Sequence, residues 1–186
     1  VLRARLFAIK KKEQDEKMRN LPWTVFSTGS AFTIGDLRLE PFSVPHDSYD
    51  PVGFVVTCGA ARIGIVTDMG MVTSLIREKL RNCQVLVVES NHDEKMLQEA
   101  DRPWVLKQRI AGRQGHLSNR QAGELIREVG GPAVQRVFLA HLSSECNRPE
   151  LALKAMNEVL SAAGLVNARA SLTYPDNPGE VLRVES

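Results

Sequence analysis

The chain contains four histidines, and each stands beside the end of a predicted element rather than inside one. His46 closes "FSVPHD", His92 lies in "VVESNHD", His116 precedes "LSNRQAGEL", and His141 closes "RVFLAH". Asp68 follows the apolar run "IGIVT", and Glu89 ends "VLVVE". Imidazole and carboxylate are the nitrogen and oxygen donors that suit Zn²⁺, Mn²⁺ or Fe; a softer site would use thiolates. Each residue alone has an ordinary explanation. A histidine at a strand end is often a surface or core residue, and Asp68 is also a candidate cap for the helix predicted after it. Glu89 is less ordinary, because a carboxylate at the end of an apolar strand is costly to bury without a cation or an imidazole beside it. Taken together, the strand-tip pattern favours a metal site with nitrogen and oxygen ligands.

Such a site requires strands that lie side by side and run the same way, so that their tips converge at one edge and loops complete the pocket. The sequence supplies candidates. Leu2 to about Arg19 predicts a helix, stopped by Leu21-Pro22. Short extended pieces follow, "WTVFST", "AFTIG" and "LRLEPFSV", with turns at Gly29-Ser30 and Gly35-Asp36. "GFVVTCG" and "ARIGIVT" form a predicted hairpin about Gly59-Ala60. "MVTSLIREKLRN" then has helical spacing, with Val72, Leu75, Ile76 and Leu80 on one face. "QVLVVES" and "RVFLAHL" are apolar strands, separated by short helices at "DEKMLQEA" and "PWVLKQRIA". A longer helix follows them, with Ser118 as its N-cap and Gly130-Gly131 as its stop. "RPELALKAMNEVLSAAG" is a helix with Pro149 in its first turn and Gly164 beyond its end. "ASLTY" and "EVLRVES" are predicted to finish the chain as strands. This order predicts one α/β domain over residues 1–186, with sheets carrying helices on their outer faces.

The bulk composition agrees with a folded, globular domain. The chain has 186 residues, 43% hydrophobic and 25% charged, with a formal net charge of +2, so charge alone does not announce a nucleic-acid binder. No apolar run reaches the length of a membrane helix, and the start has no secretory pattern. Cys58, Cys83 and Cys146 are far apart and in no CxxC pair. They predict reduced thiols in a cytoplasmic protein rather than a disulfide framework.

The segments "FTIGDLRLEPFSVPHDSYDPVGFVV", "IGIVTDMG", "VLVVESNHD", "LKQRIAGRQGHLSN" and "FLAHLSSECNRPELA" cover most of residues 32–153. In that order they resemble a metallo-β-lactamase-fold hydrolase, and "SNHD" with "GHLSN" resembles its YycJ (WalJ)-type branch. The resemblance implies a metallo-β-lactamase-like αβ/βα four-layer sandwich, here N-terminally incomplete, with two divalent metal ions at the sheet edge. Zn or Mn is expected, and Fe is compatible. It implies that His46 binds one metal, Asp68 bridges both and His141 binds the other. His116 and Glu89 resemble the histidine–glutamate pair of phosphodiesterase relatives, in which the imidazole helps to protonate the leaving oxygen and the carboxylate orients it. His92, Asn91, Ser118 and Asn147 are expected to support the ligands or to line the substrate site, together with Ser143 and Ser144. The family's HxHxDH motif is absent from this sequence and is expected upstream of Val1, leaving the metal site incomplete in this chain.

The functional expectation is therefore metal-dependent hydrolysis of a phosphodiester, with nucleic acid as the substrate partner, no membrane partner, and room for a homodimer. Arg102, Lys107, Arg109, Arg113 and Arg120 surround His116 in sequence and are candidates for phosphate contacts; ordinary solvated helix charge is the alternative. A truncated, non-catalytic or regulatory protein of the same fold is the competing reading. Hydrolysis of β-lactams is disfavoured by the His116–Glu89 pair.

Overall fold

The computed structural model describes residues 24–177, 179 and 181–184. The helix predicted over residues 2–19 lies outside them. Seven strands and five helices alternate in the order β1 (Phe32–Ile34), β2 (Leu37–Ser43), β3 (Val52–Cys58), β4 (Ala61–Val66), α1 (Ser74–Leu80), β5 (Val85–Glu89), α2 (Glu94–Glu99), α3 (Trp104–Ala111), α4 (Asn119–Val129), β6 (Arg136–Ala140), α5 (Pro149–Ala162) and β7 (Arg169–Leu172).

All seven strands belong to one sheet, and their order across it is their order in the chain. β1 to β4 are joined as antiparallel neighbours, and β4 to β7 pair in parallel through helical crossovers. Two reversals, from β2 to β3 and from β3 to β4, leave β2 pointing the same way as β4, β5 and β6. The carboxyl ends of these four strands therefore share one edge, as a strand-tip site requires. The β3–β4 turn uses Gly59 at φ +56°, a left-handed conformation that costs glycine little.

Alternation along the strands divides the sheet into two faces. Val55, Val66, Leu86, Val88, Val137 and Leu139 pack beneath Ile76 and Leu80 of α1, Leu125 and Ile126 of α4, and Met156 and Leu160 of α5. Full burial of such a side chain contributes about 1.5–3 kcal/mol each. The other face carries Phe54, Val56, Ile63, Ile65, Val87 and Phe138, all half-buried. Phe26 stacks on Phe32 there at 5.2 Å and meets Phe54 edge-on at 5.6 Å. A sheet that is apolar on both faces is built to be an inner layer. The described residues supply one sheet and one helical layer, half of the four layers expected.

Several local expectations are corrected. Asp68 does not cap α1: Thr73 does, accepting from the Ile76 N–H at 3.3 Å, so the helix starts at Ser74. Leu75 is exposed, because this short helix buries only the Ile76–Leu80 stripe. Residues 24–28, from the predicted strand "WTVFST", and residues 181–184, from "EVLRVES", are not strands, because neither finds a hydrogen-bonding neighbour in the sheet. Ser118 caps α4 as predicted, and Gln121 completes a reciprocal capping box there; Asp93 caps α2, a cap the sequence reading did not name.

Candidate metal centre

The loops after β2, β4 and β6 deliver His46, Asp68 and His141 to the shared edge. Asp68 and His141 both adopt left-handed backbone, at φ +54° and +56°. That conformation is uncommon outside glycine, although Asp and His tolerate it better than most residues. It turns the chain abruptly at the strand tip. The loops are interlocked around these residues. The Gly70 N–H donates to the Pro45 carbonyl at 2.9 Å, and the Asp47 N–H donates to that of Gln114 at 3.0 Å. Gly70 must be glycine, since a Cβ there would lie 2.4 Å from backbone atoms of Gly112, Arg113 and Gly115.

Glu89, fully buried at the end of β5, is the hub. Its Oε1 lies 2.8 Å from His116 Nδ1 and 2.7 Å from His141 Nδ1. Its Oε2 accepts from the backbone N–H groups of Met69 at 3.0 Å and Leu117 at 3.2 Å. Burial alone would raise its pKa. The hydrogen bonds with His116, His141 and the Met69 N–H outweigh burial and hold the pKa at about 2, so the group is a carboxylate. The sequence suggested a partner for Glu89; the structure gives it two histidines at once.

His46 is fixed differently. Its Nδ1 lies 3.0 Å from the Gly115 carbonyl, an acceptor only, so the Nδ1–H donates and Nε2 is left as the lone-pair nitrogen. That Nε2 is 3.7 Å from Asp68 Oδ1, and Asp68 Oδ1 is also 3.7 Å from His141 Nδ1. The imidazoles of His46 and His141 each have their ring centroid 5.0 Å from that of His116. Two groups of donors result, each with its atoms within 4.8 Å of one another: His46, Asp68 and His116, and Glu89, His116 and His141. These sets hold only nitrogen and oxygen donors, one His46 nitrogen is committed to its proper tautomer, and an anionic oxygen sits between two imidazoles. The donor chemistry fits divalent ions.

The remaining expected residues stand behind this cluster. Asn91 donates to the His141 carbonyl at 2.8 Å. Asn147 donates to the carbonyls of Ser90 at 2.8 Å and Asn91 at 3.1 Å. Ser118 is occupied as the α4 cap and also donates to Glu94 at 3.0 Å. Ser143 Oγ accepts from the Cys146 N–H at 3.1 Å, holding the loop after β6. His92 is buried outside the cluster, its Nδ1 without a hydrogen-bond partner among the described residues, and burial pushes its pKa down, so it is neutral. Two residues escaped the sequence reading. Asn119 exchanges reciprocal amide hydrogen bonds of 2.9 Å with Asn147 and accepts from Ser90 Oγ at 2.6 Å. Asp47 lies 3.6 Å from His46 Nε2 and is clasped by Arg109, which lowers its pKa. The adjacent "HD" pair was the available signal for Asp47; nothing local marks Asn119.

Residues 1–142 match the family model described as "Beta-lactamase superfamily domain". The chain belongs to that superfamily. It is 33% identical over 154 residues to "Exodeoxyribonuclease YycJ" of Bacillus anthracis, an alignment covering 83% of this chain and 58% of that protein. It is likewise 33% identical over 155 residues to "Exodeoxyribonuclease WalJ" of Streptococcus pneumoniae, covering 82% and 58%. The chain thus spans somewhat over half the length of these curated relatives. Among solved structures, the metallo-β-lactamase fold protein YhfI of Bacillus subtilis superposes with a TM-score of 0.60 over 87% of this chain and 59% of its own, at 16% identity. That likeness establishes the superfamily's metallo-β-lactamase fold here. Divalent-metal binding goes with this fold, and the donor groups above are candidates for it. No helix among the described residues is long and apolar enough to cross a membrane.

Proposed function

We propose that this chain carries part of the active centre of a metal-dependent phosphodiesterase that degrades DNA. The observation that carries the proposal is the sharing of one ionised, fully buried carboxylate, Glu89, by His116 and His141. In this reading His46, Asp68 and His141 contribute ligands to two divalent ions of the Zn or Mn class. The ions, when bound, supply Lewis acidity and a water that is acidic enough to deprotonate near neutral pH.

The chain's own residues do the positioning. The Gly115 carbonyl fixes the His46 tautomer. The left-handed turns at Asp68 and His141 present their side chains over the strand ends. His116 keeps its Nδ1–H on Glu89, which leaves Nε2 directed away from the carboxylate as the atom that carries a proton to the leaving oxygen. Glu89 stabilises the protonated imidazole and holds its ring in place. The exodeoxyribonuclease names of the two curated relatives support DNA as the substrate.

The test is an assay of the intact protein on linear and covalently closed DNA, with metal content measured in parallel. Linear DNA should be degraded, chelation should abolish this, and added Mn²⁺ or Zn²⁺ should restore it. Undiminished DNA degradation by chelated, metal-free protein would overturn the proposal, as would metal-loaded protein inert towards every nucleic acid and simple phosphodiester offered.

A further inference from the structure

Five basic residues surround His116 in the sequence, and the structure separates them. Arg102 pairs with Glu145 at 2.7 Å. Arg109 makes a two-pronged contact with Asp47, at 2.5 and 3.0 Å. Arg120 lies between Glu94 at 3.0 Å and Glu124 at 2.6 Å. Lys107 donates to the Gln98 carbonyl at 2.6 Å. Arg113 differs: its Nε donates to the thioether sulfur of Met71 at 3.3 Å, and no carboxylate among the described residues pairs with it. A thioether is a weak, uncharged acceptor. Among the described residues nothing balances the Arg113 charge, which sits on an exposed side chain.

Its location gives that charge a use. Arg113 lines a cleft of about 620 Å³ with Pro45, Asp47, Met71, Arg109 and Gln114. Pro45 and Asp47 flank His46 in the chain, Met71 follows Asp68 closely, and Gln114 shortly precedes His116. The walls of the cleft are therefore the loops that deliver residues of the candidate centre, and the cleft opens beside it. Arg109 neutralises Asp47, the one acidic residue among these, so Arg113 leaves the cleft with a net positive charge. The backbone beneath Arg113 is held firmly, packed against Gly70 and bonded through the Gln114 carbonyl to the Asp47 N–H.

We propose that this cleft receives a phosphate of the nucleic-acid strand adjacent to the one being cut, with the Arg113 guanidinium as its charged clamp. The proposal rests on the phosphodiesterase reading above and adds to it a subsite for a second phosphate. A planar guanidinium with free donors matches two phosphate oxygens at once, and an anion arriving there displaces only a thioether contact. The paired arginines would each have to break an ion pair first.

Binding separates this proposal from the reading it rests on. The intact protein, kept in EDTA so that no cleavage occurs, is titrated into fluorescein-labelled oligothymidylate across a salt series and followed by anisotropy. Arg113→Ala should weaken binding about tenfold and make the slope of log K against log salt shallower by about 0.7. Arg113→Lys should keep the slope and recover part of the affinity, losing the two-pronged geometry. Arg120→Ala, which removes an already paired charge, should bind within about twofold of wild type. Wild-type affinity and slope in Arg113→Ala would overturn the subsite while leaving the phosphodiesterase reading intact. An equal loss in Arg120→Ala would also overturn it, by showing diffuse attraction in place of a clamp. A wild-type protein that binds no oligothymidylate and cleaves no phosphodiester would remove both.

Discussion

Two polar clusters stand side by side at the ends of β5 and β6, and they are built from different materials. One is centred on Glu89 and gathers His116, His141 and, through Asp68, His46. The other begins at the next residue, Ser90, and gathers Asn91, Asn119 and Asn147. Glu89 uses both of its oxygens, and the Asn119–Asn147 amides pair reciprocally. The first cluster is made of ionisable groups of the kind that suit cations; the second is made of neutral amides and a hydroxyl. The first cluster reaches the surface at His141, whose side chain is 42% exposed, whereas Asn119 and Asn147 are 5% exposed. A neutral amide network keeps its geometry whatever the pH or metal content. It is therefore a suitable frame for groups whose charge must change.

The largest effect is expected at Asp68. Asp68→Asn keeps the shape and the tolerance for left-handed backbone but removes the charge between two imidazoles. DNA hydrolysis should fall by roughly 10³-fold or more, with metal content measured on the same samples falling too. Wild-type metal content and rate would move Asp68 out of the active cluster. His116→Ala should reduce kcat by about 10²-fold or more while metal content is retained; simultaneous loss of metal would make His116 a ligand instead.

Glu89→Gln addresses the charge itself. In the metal-free protein Glu89 titrates at about 2 when folded, against an ordinary 4.5. A depressed carboxylate pKa contributes stability that is fully present above 4.5 and is lost as pH falls towards 2. Urea unfolding should find the variant about 3 kcal/mol less stable at neutral pH. The gap to wild type should narrow between pH 4.5 and 2, and a gap independent of pH would contradict the ionised hub. The smallest effect belongs to the neutral network. Asn119→Ala should cost about 2 kcal/mol in the same unfolding experiment while metal bound per folded molecule stays constant. A change in metal stoichiometry would mean that the two clusters are not separate.

Much of this organisation is legible in the sequence. The apolar runs ending at Glu89 and Ala140 give β5 and β6, Ser118 marks the start of α4, and His46, Asp68 and His141 announce themselves as polar residues closing apolar strands. What is not legible depends on partners far away in the chain. Nothing near His46 signals that its Nδ1 will meet the Gly115 carbonyl. Glu89 advertises a need for a counter-charge without saying how many it will find. The five basic residues around His116 look alike as a string, and only folding assigns carboxylates to three of them and a thioether to Arg113. The failed strands at 24–28 and 181–184 have the same cause: a strand is completed by a neighbour, and propensity cannot supply one.

The strand order has a consequence for how the molecule is made. Because each strand pairs with the one just before it in the chain, a ribosome delivering this polypeptide presents every new strand to an edge that already exists. Growth of the sheet is then a succession of additions to an existing edge, quick for the β1–β4 turns and slower for the parallel strands, whose partners lie across helical crossovers. The chemistry arrives on a different schedule. His46 and Asp68 emerge early, Glu89 and His116 later, and the cluster closes only when β6 docks and carries in His141. During synthesis, most of the scaffold is laid down before the cluster is complete.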